Sequence, residues 1–193
     1  MTTIAVVKKS GSIAIAADTL TKWGSGKESA TYIANSGKIL TIDESFLAIT
    51  GNATFKLIVK EYFQSRSERP DFSSVDAIFK EWNTLHGALK EKYFLMPEED
   101  KEDAVESSRM DVLIANPYGI FGVSGHRTVQ EFSKFYAYGS GSDYALGSMF
   151  TSYNLPDMDA KTIAKKSVEA AAEFDDGTGE PVDVYSFQER KRD

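Results

Sequence analysis

A hydroxyl at Thr2 and a carboxylate at Asp18, with two apolar runs between them, supply the first chemistry in this sequence. The runs, residues 4–7 and 13–17, flank Ser10-Gly11, a small-residue pair of the kind that closes a hairpin. Pairing across that turn brings Asp18 opposite Thr2 and Thr3. If Met1 is removed, Thr2 carries both a nucleophilic hydroxyl and a free α-amine. Such an amine titrates near pH ~8 and can serve as the base for its own hydroxyl. Two readings stand at this point: an N-terminal threonine nucleophile, or an ordinary β-hairpin with a polar start.

Other chemistries lack their residues. There is no cysteine, which excludes disulfides, cysteine nucleophiles and thiolate metal sites. His86 and His126 are the only histidines, too few for a zinc centre of the usual kind. Trp23-Gly-Ser-Gly-Lys27 resembles a phosphate loop, but Thr21 stands where the first Gly belongs and Glu28 where Ser or Thr belongs. Gly122-Val-Ser-Gly-His126 is not a serine-hydrolase elbow, because its second Gly comes one position early and its His is adjacent in sequence. A net charge of −7 argues against a general nucleic-acid binder. No apolar run reaches the ~18 residues of a membrane span, no secretory signal opens the chain, and the cytoplasm is the default location.

The elements that must position Thr2 and Asp18 follow from the pattern. At 193 residues, 41% hydrophobic and 26% charged, the sequence reads as one domain over 1–193. Both opening runs are apolar at consecutive positions, which suits strands covered on both faces. A polar loop over 19–37, with a short strand at 30–34, leads to a second strand pair, 38–42 and 46–50, around Asp43-Glu-Ser45. Gly51 ends that pair, and Asn52 is placed to cap a helix carrying Phe55, Ile58, Val59 and Tyr62 at helical spacing. After Pro70, Ser73-Ser-Val-Asp76 starts a second helix with the stripe Val75, Ile78, Phe79, Trp82, Leu85, Leu89 and Tyr93. His86 beside that stripe reads as a packed histidine, not a ligand. The acidic stretch 97–106 reads as a solvated connector.

Strands resume at 111–115, 120–123, 129–132 and 135–138. A Gly-Ser turn then enters a helix ending near Asn154, and Asp157 or Asp159 caps an Ala-rich helix reaching Phe174. Asp175-Asp-Gly-Thr-Gly179 breaks the chain before a last strand at 182–187 and a charged, frayed tail. Strands and helices come in blocks, so the alternation of a parallel α/β sheet is missing. The fold class is therefore α+β, with two antiparallel sheets packed face to face and a helix pair on each outer side.

Together these stretches carry a resemblance. Thr2-Thr-Ile, the hairpin to Ala16-Ala-Asp18, Lys38 opening a strand, and Thr50-Gly51 before a helix occur in that order. Gly139-Ser-Gly-Ser142 precedes another helix, and Asp175 and Thr178-Gly179 stand near the end. The set resembles a proteasome β-type subunit over almost the whole chain. Each residue alone could be a solvated turn residue or half of a salt bridge; their ordered co-occurrence is what is specific. The length, and a nucleophile preceded only by Met1, resemble the bacterial HslV branch and the related bacterial proteasome homologue, BPH.

The resemblance implies an N-terminal nucleophile (Ntn) hydrolase with a four-layer αββα sandwich and no cofactor. It implies Thr2 as nucleophile, the pair Asp18 and Lys38 beside it, and Ser140, Asp175 and Thr178 around the amine. Gly51 would give a backbone N–H to the oxyanion, helped by the start of the following helix. Its departures are Leu20, where relatives often carry Arg, Thr50-Gly51-Asn52 in place of Ala-Gly-Gly, Thr178 in place of Ser, and a longer 18–38 segment. The implied function is a threonine-type endopeptidase in stacked homo-oligomeric rings of six or seven, acting on peptides or unfolded proteins and open to an ATP-dependent unfoldase. A small-molecule amidase or acylase with the same nucleophile, or a silent ring scaffold, are the alternatives. Ile49 and Ala53 flank Gly51, so the pocket before the scissile bond is expected to be apolar and to prefer uncharged, apolar residues.

Overall fold

The computed structural model describes residues 2–96 and 103–190, so Met1, most of the acidic stretch and the last three residues lie outside the described residues. The first sheet contains β1 (Thr3–Lys9) and β2 (Ser12–Asp18), joined by a turn with Ser10 and Gly11 both at positive φ. That turn matches strand twist, and Gly11 at φ 76° adopts it without steric cost. With β10 (Phe135–Gly139) and β11 (Val182–Gln188) the order is β10-β1-β2-β11, every neighbouring pair antiparallel. The second sheet runs in sequence order: β5 (Ile39–Ile42), β6 (Ser45–Ile49), β7 (Val112–Asn116), β8 (Gly119–Val123) and β9 (Val129–Phe132).

Consecutive apolar residues now have two destinations. Ile4, Val6, Ile13 and Ile15 face Leu113, Ala115 and Ile120 of the other sheet. Ala5, Val7, Ala14 and Ala16 face the opposite way, onto α3 (Ser142–Ser152) and α4 (Ala160–Phe174). Ala160, Ala164 and Ala171 are fully buried there, and their small side chains let helix and sheet approach closely. On the far side, α1 (Thr54–Gln64) and α2 (Val75–Glu91) cover Leu47, Val112, Ile114 and Phe121 with Val59, Phe63, Ile78, Trp82, Leu85 and Leu89. The architecture is thus four layers, αββα. Each large side chain buried in it stabilises the fold by roughly 1.5–3 kcal/mol.

Local details differ from the sequence reading where turn chemistry intervenes. No strand forms at 30–34; the Ser29 carbonyl accepts from the Tyr32 and Ile33 N–H groups, and the Ser29 hydroxyl accepts from the Thr31 N–H, making a turn. A small hairpin lies earlier instead, β3 (Thr21–Trp23) with β4 (Gly26–Glu28), turning through Gly24 at φ 56°. The cap of α1 is Ala53, one residue later than expected, while the Asn52 side chain accepts from Thr54 N–H. Ser74 caps α2 and Asp159 caps α4, each through its side chain. Phe79, on the expected apolar stripe, is half exposed. His86 is buried between Ser108 and Glu106, which fits a packed histidine.

Candidate active site

Thr2 and Thr3, both placed opposite Asp18 by the hairpin, are divided by the fold. Thr3 begins β1, and its N–H donates to Asp18 Oδ1 at 3.0 Å. Its side chain points to the α3/α4 side, where Gly141 N–H donates to Oγ1 at 3.1 Å and the Thr178 hydroxyl lies 2.6 Å away. Thr2, one residue earlier, alternates to the other side and lines a cleft with Lys38, Gly51, Ile49 and Ala53. Its carbonyl accepts from Ser140 N–H at 2.9 Å.

Asp18 is fully buried and forms an ion pair with Lys38 at 2.7 Å. Its carboxylate also accepts N–H bonds from Leu20 and Gly179. Burial pushes the Asp18 carboxyl up, against the pull of Lys38 and the backbone donors. Burial likewise pushes Lys38 down, opposed by Asp18. A lysine held this way stands beside Thr2 as a rigid, partly desolvated cation.

On the other side of Thr2, the Ser140 hydroxyl donates to Asp175 Oδ2 at 2.7 Å, and the Thr178 hydroxyl donates to the same oxygen. Because the Thr178 proton is used there, Thr3 must donate to Thr178, giving a chain from Gly141 N–H through Thr3 and Thr178 to Asp175. Burial raises the Asp175 carboxyl, but bonds from Thr178, Ser140 and the Gly177 backbone outweigh it and hold the group below its usual range. The carboxylate is thus fixed as an anion next to Ser140, whose N–H holds the Thr2 carbonyl.

Gly51, at φ 102°, completes the cleft; a Cβ there would stand 2.7 Å from the Arg109 carbonyl. Thr50 is tied to Asp111 through backbone and side chain, which fixes the turn. Gly51 lies two residues before the Ala53 cap, not in the helix, so its share of the helix dipole is smaller than a first-turn residue would have. Thr2, Lys38 and Gly51 therefore line the cleft, with Asp18 buried beneath it against Lys38 and with Ser140, Asp175 and Thr178 behind Thr2.

Thr3, Gly139 and Gly141 were not singled out by the sequence reading. Position opposite Asp18 was the available signal for Thr3, and the Gly-Ser-Gly spacing for the glycines. That loop is a close approach, not merely a flexible turn: a Cβ on Gly139 would meet the Thr2 carbonyl oxygen at 1.9 Å, and one on Gly141 the Thr3 hydroxyl at 2.5 Å. Gly139→Ala, also strained at φ 106°, is expected to cost at least about 2 kcal/mol, a fall in Tm of roughly 4–8 °C, and to lower turnover by displacing Thr2. Thermal melts and peptide hydrolysis of the variant check this; unchanged values for both would contradict it.

The cleft is not purely apolar. Leu20, Ile49 and Ala53 line it, but so do Lys22 and Lys56. The long 18–38 segment builds one wall through the β3–β4 hairpin, with Trp23 at its exposed rim. Among the described residues no group of three or more His, Asp or Glu side chains could hold a metal, and no helix is long and apolar enough to cross a membrane.

No protein-family model matches the sequence, and no curated protein does at a significant level. Solved structures do. BPH of Thiobacillus denitrificans is 60% identical, with a TM-score of 0.95, over 98% of this chain and 100% of that one. The chain belongs to the BPH branch of the proteasome β-type family. The same BPH in complex with epoxomicin matches at 59% identity and a TM-score of 0.93, again over 98% and 100% of the two chains. HslV from Trypanosoma brucei shares the fold, at 18% identity and a TM-score of 0.72 over 96% of this chain and 99% of that one. As a BPH relative, the chain has the Ntn-hydrolase sandwich that its four layers display.

Proposed function

We propose that the chain is a single-domain threonine-type endopeptidase of a self-compartmentalised ring protease in the cytoplasm, activated when Met1 is removed. The observation that carries this is the placement of Thr2 on a cleft, between the buried Asp18–Lys38 pair and the Ser140–Asp175–Thr178 cluster. In this reading the Thr2 hydroxyl attacks the scissile carbonyl while the freed amine takes its proton. The Lys38 ammonium favours the neutral amine and the developing alkoxide, keeping the base usable near neutral pH. Ser140 and Asp175 hold the amine as it gains the proton, and Gly51 N–H receives the oxyanion. The amine then protonates the departing nitrogen, and water releases the acyl group by the same route in reverse.

The substrates proposed are peptides or unfolded proteins, delivered into rings of six or seven chains stacked in pairs, with an ATP-dependent unfoldase as a partner. Exposed apolar groups on the outer layers, Phe150 and Phe174 on one side and Leu57 and Phe79 on the other, suit contacts between copies. Native mass spectrometry with a fluorogenic peptide assay tests this. A double-ring mass is expected, with hydrolysis blocked by epoxomicin in the wild type. A folded, active monomer at micromolar concentration would overturn the assembly, and an assembled particle with trimmed Thr2 that cleaves no peptide would overturn the peptidase.

A further inference from the structure

The cleft beside Thr2 has a charge imbalance that the proposed peptide chemistry does not use. Three lysines line it: Lys22, Lys38 and Lys56. Lys38 is paired with Asp18, and Lys22 with Asp176. Lys56 reaches from α1 to the loop before Lys38, where its ammonium donates to the carbonyls of Asn35 and Gly37, the latter at 2.7 Å. Carbonyls satisfy two of its three protons and cancel none of its charge. No carboxylate among the described residues pairs with it, and no acidic residue lines the cleft. Burial, with the positive charges of Lys38 and Lys60, pushes its pKa down, so the site disfavours its present excess of cation. The cleft measures about 170 Å³, room for one side chain beside the nucleophile.

We propose that this cleft selects an acidic side chain, glutamate before aspartate, on the residue preceding the scissile bond, with Lys56 as the specificity-determining cation. The inference rests on the peptidase reading of Thr2. A glutamate carboxylate entering past Ile49 and Ala53 lays its methylenes on apolar surface and takes the third Lys56 proton in a charge-assisted hydrogen bond. It also cancels the surplus positive charge in a partly desolvated place, where such a contact counts for more than in water. A lysine or arginine in the same position would add a fourth cation, and a leucine would leave Lys56 uncompensated. Specificity thus comes from repulsion as much as attraction.

The test uses the assembled particle with a free Thr2 and peptides identical except for Glu, Gln, Leu or Lys before the cleaved bond. The Glu peptide is expected to exceed its neutral isostere Gln by roughly tenfold or more in kcat/KM, with Lys slowest. The advantage should shrink as salt is raised. Lys56→Met, which keeps a long apolar stem, should bring the Glu to Gln ratio near one, and Lys56→Arg should retain most of it. If Lys56 only pins the Asn35–Gly37 loop, Lys56→Met slows all peptides alike and the ratio persists, which overturns the proposal. A wild type that cleaves Gln or Leu as fast as Glu also overturns it, with no variant needed. Failure to cleave any peptide would instead count against the peptidase reading itself.

Discussion

Thr2→Ala is expected to fold, to melt near the wild-type temperature and to be inert, with turnover lower by about 10⁴-fold or more. The side chain lies on the cleft and supports no core layer, so its loss removes chemistry and little packing. A Met1-bearing form of the unmutated chain should be equally silent. With Met1 attached, the Thr2 nitrogen is an amide, which accepts no proton at neutral pH. Substitute bases are missing: there is no cysteine, and His86 is buried against Ser108 and Glu106 on α2. Thr2→Ser retains both groups and should keep measurable turnover. Two preparations, one starting at Met1 and one at Thr2, compared by peptide hydrolysis and by mass of the N-terminus afterwards, decide the matter. Equal rates with Met1 intact would end the N-terminal nucleophile mechanism for this chain.

Lys38→Ala should lose roughly 100-fold or more in turnover, the scale of lost acid–base support. It also leaves the Asp18 carboxylate buried without its counter-ion, a change that costs on the order of 3–5 kcal/mol. The three backbone N–H groups on Asp18 remain and cushion part of that loss. Melting temperature measured beside turnover separates the two contributions. The double variant Lys38→Met with Asp18→Asn removes the stranded charge; it should recover stability and leave the rate low. A folded Lys38→Ala protein at near-normal rate would take Lys38 out of the mechanism.

The opening hairpin, both sheets and all four helices were legible because each rests on a pattern that survives in one dimension. Paired apolar runs, helical stripes and the cap Asp159 are local signals, while α2 is capped by Ser74, one residue later than the box Ser73-Ser-Val-Asp76 places it. The short β3–β4 hairpin was hidden because its exposed residues carry no apolar alternation, only the Gly24-Ser25 turn. The site was legible only as an ordered set. Thr3 and Thr178 hydrogen-bond across the length of the chain, and no spacing rule predicts such a contact. Lys56 carries no signal in the sequence, since nothing local says that its ammonium folds back over the loop before Lys38.

The register of β1 makes the first sheet a ruler. Thr3 is paired with Gly139 on one side while Ile4 is paired with Ala17 on the other, so both edges of the strand are measured off at once. A slip by one residue would send Ile4 and Val6 to the helices and Ala5 and Val7 between the sheets, exchanging large for small side chains in two packed layers. The strand cannot absorb an added or missing residue by sliding. The core of the sandwich thus decides which threonine faces the cleft.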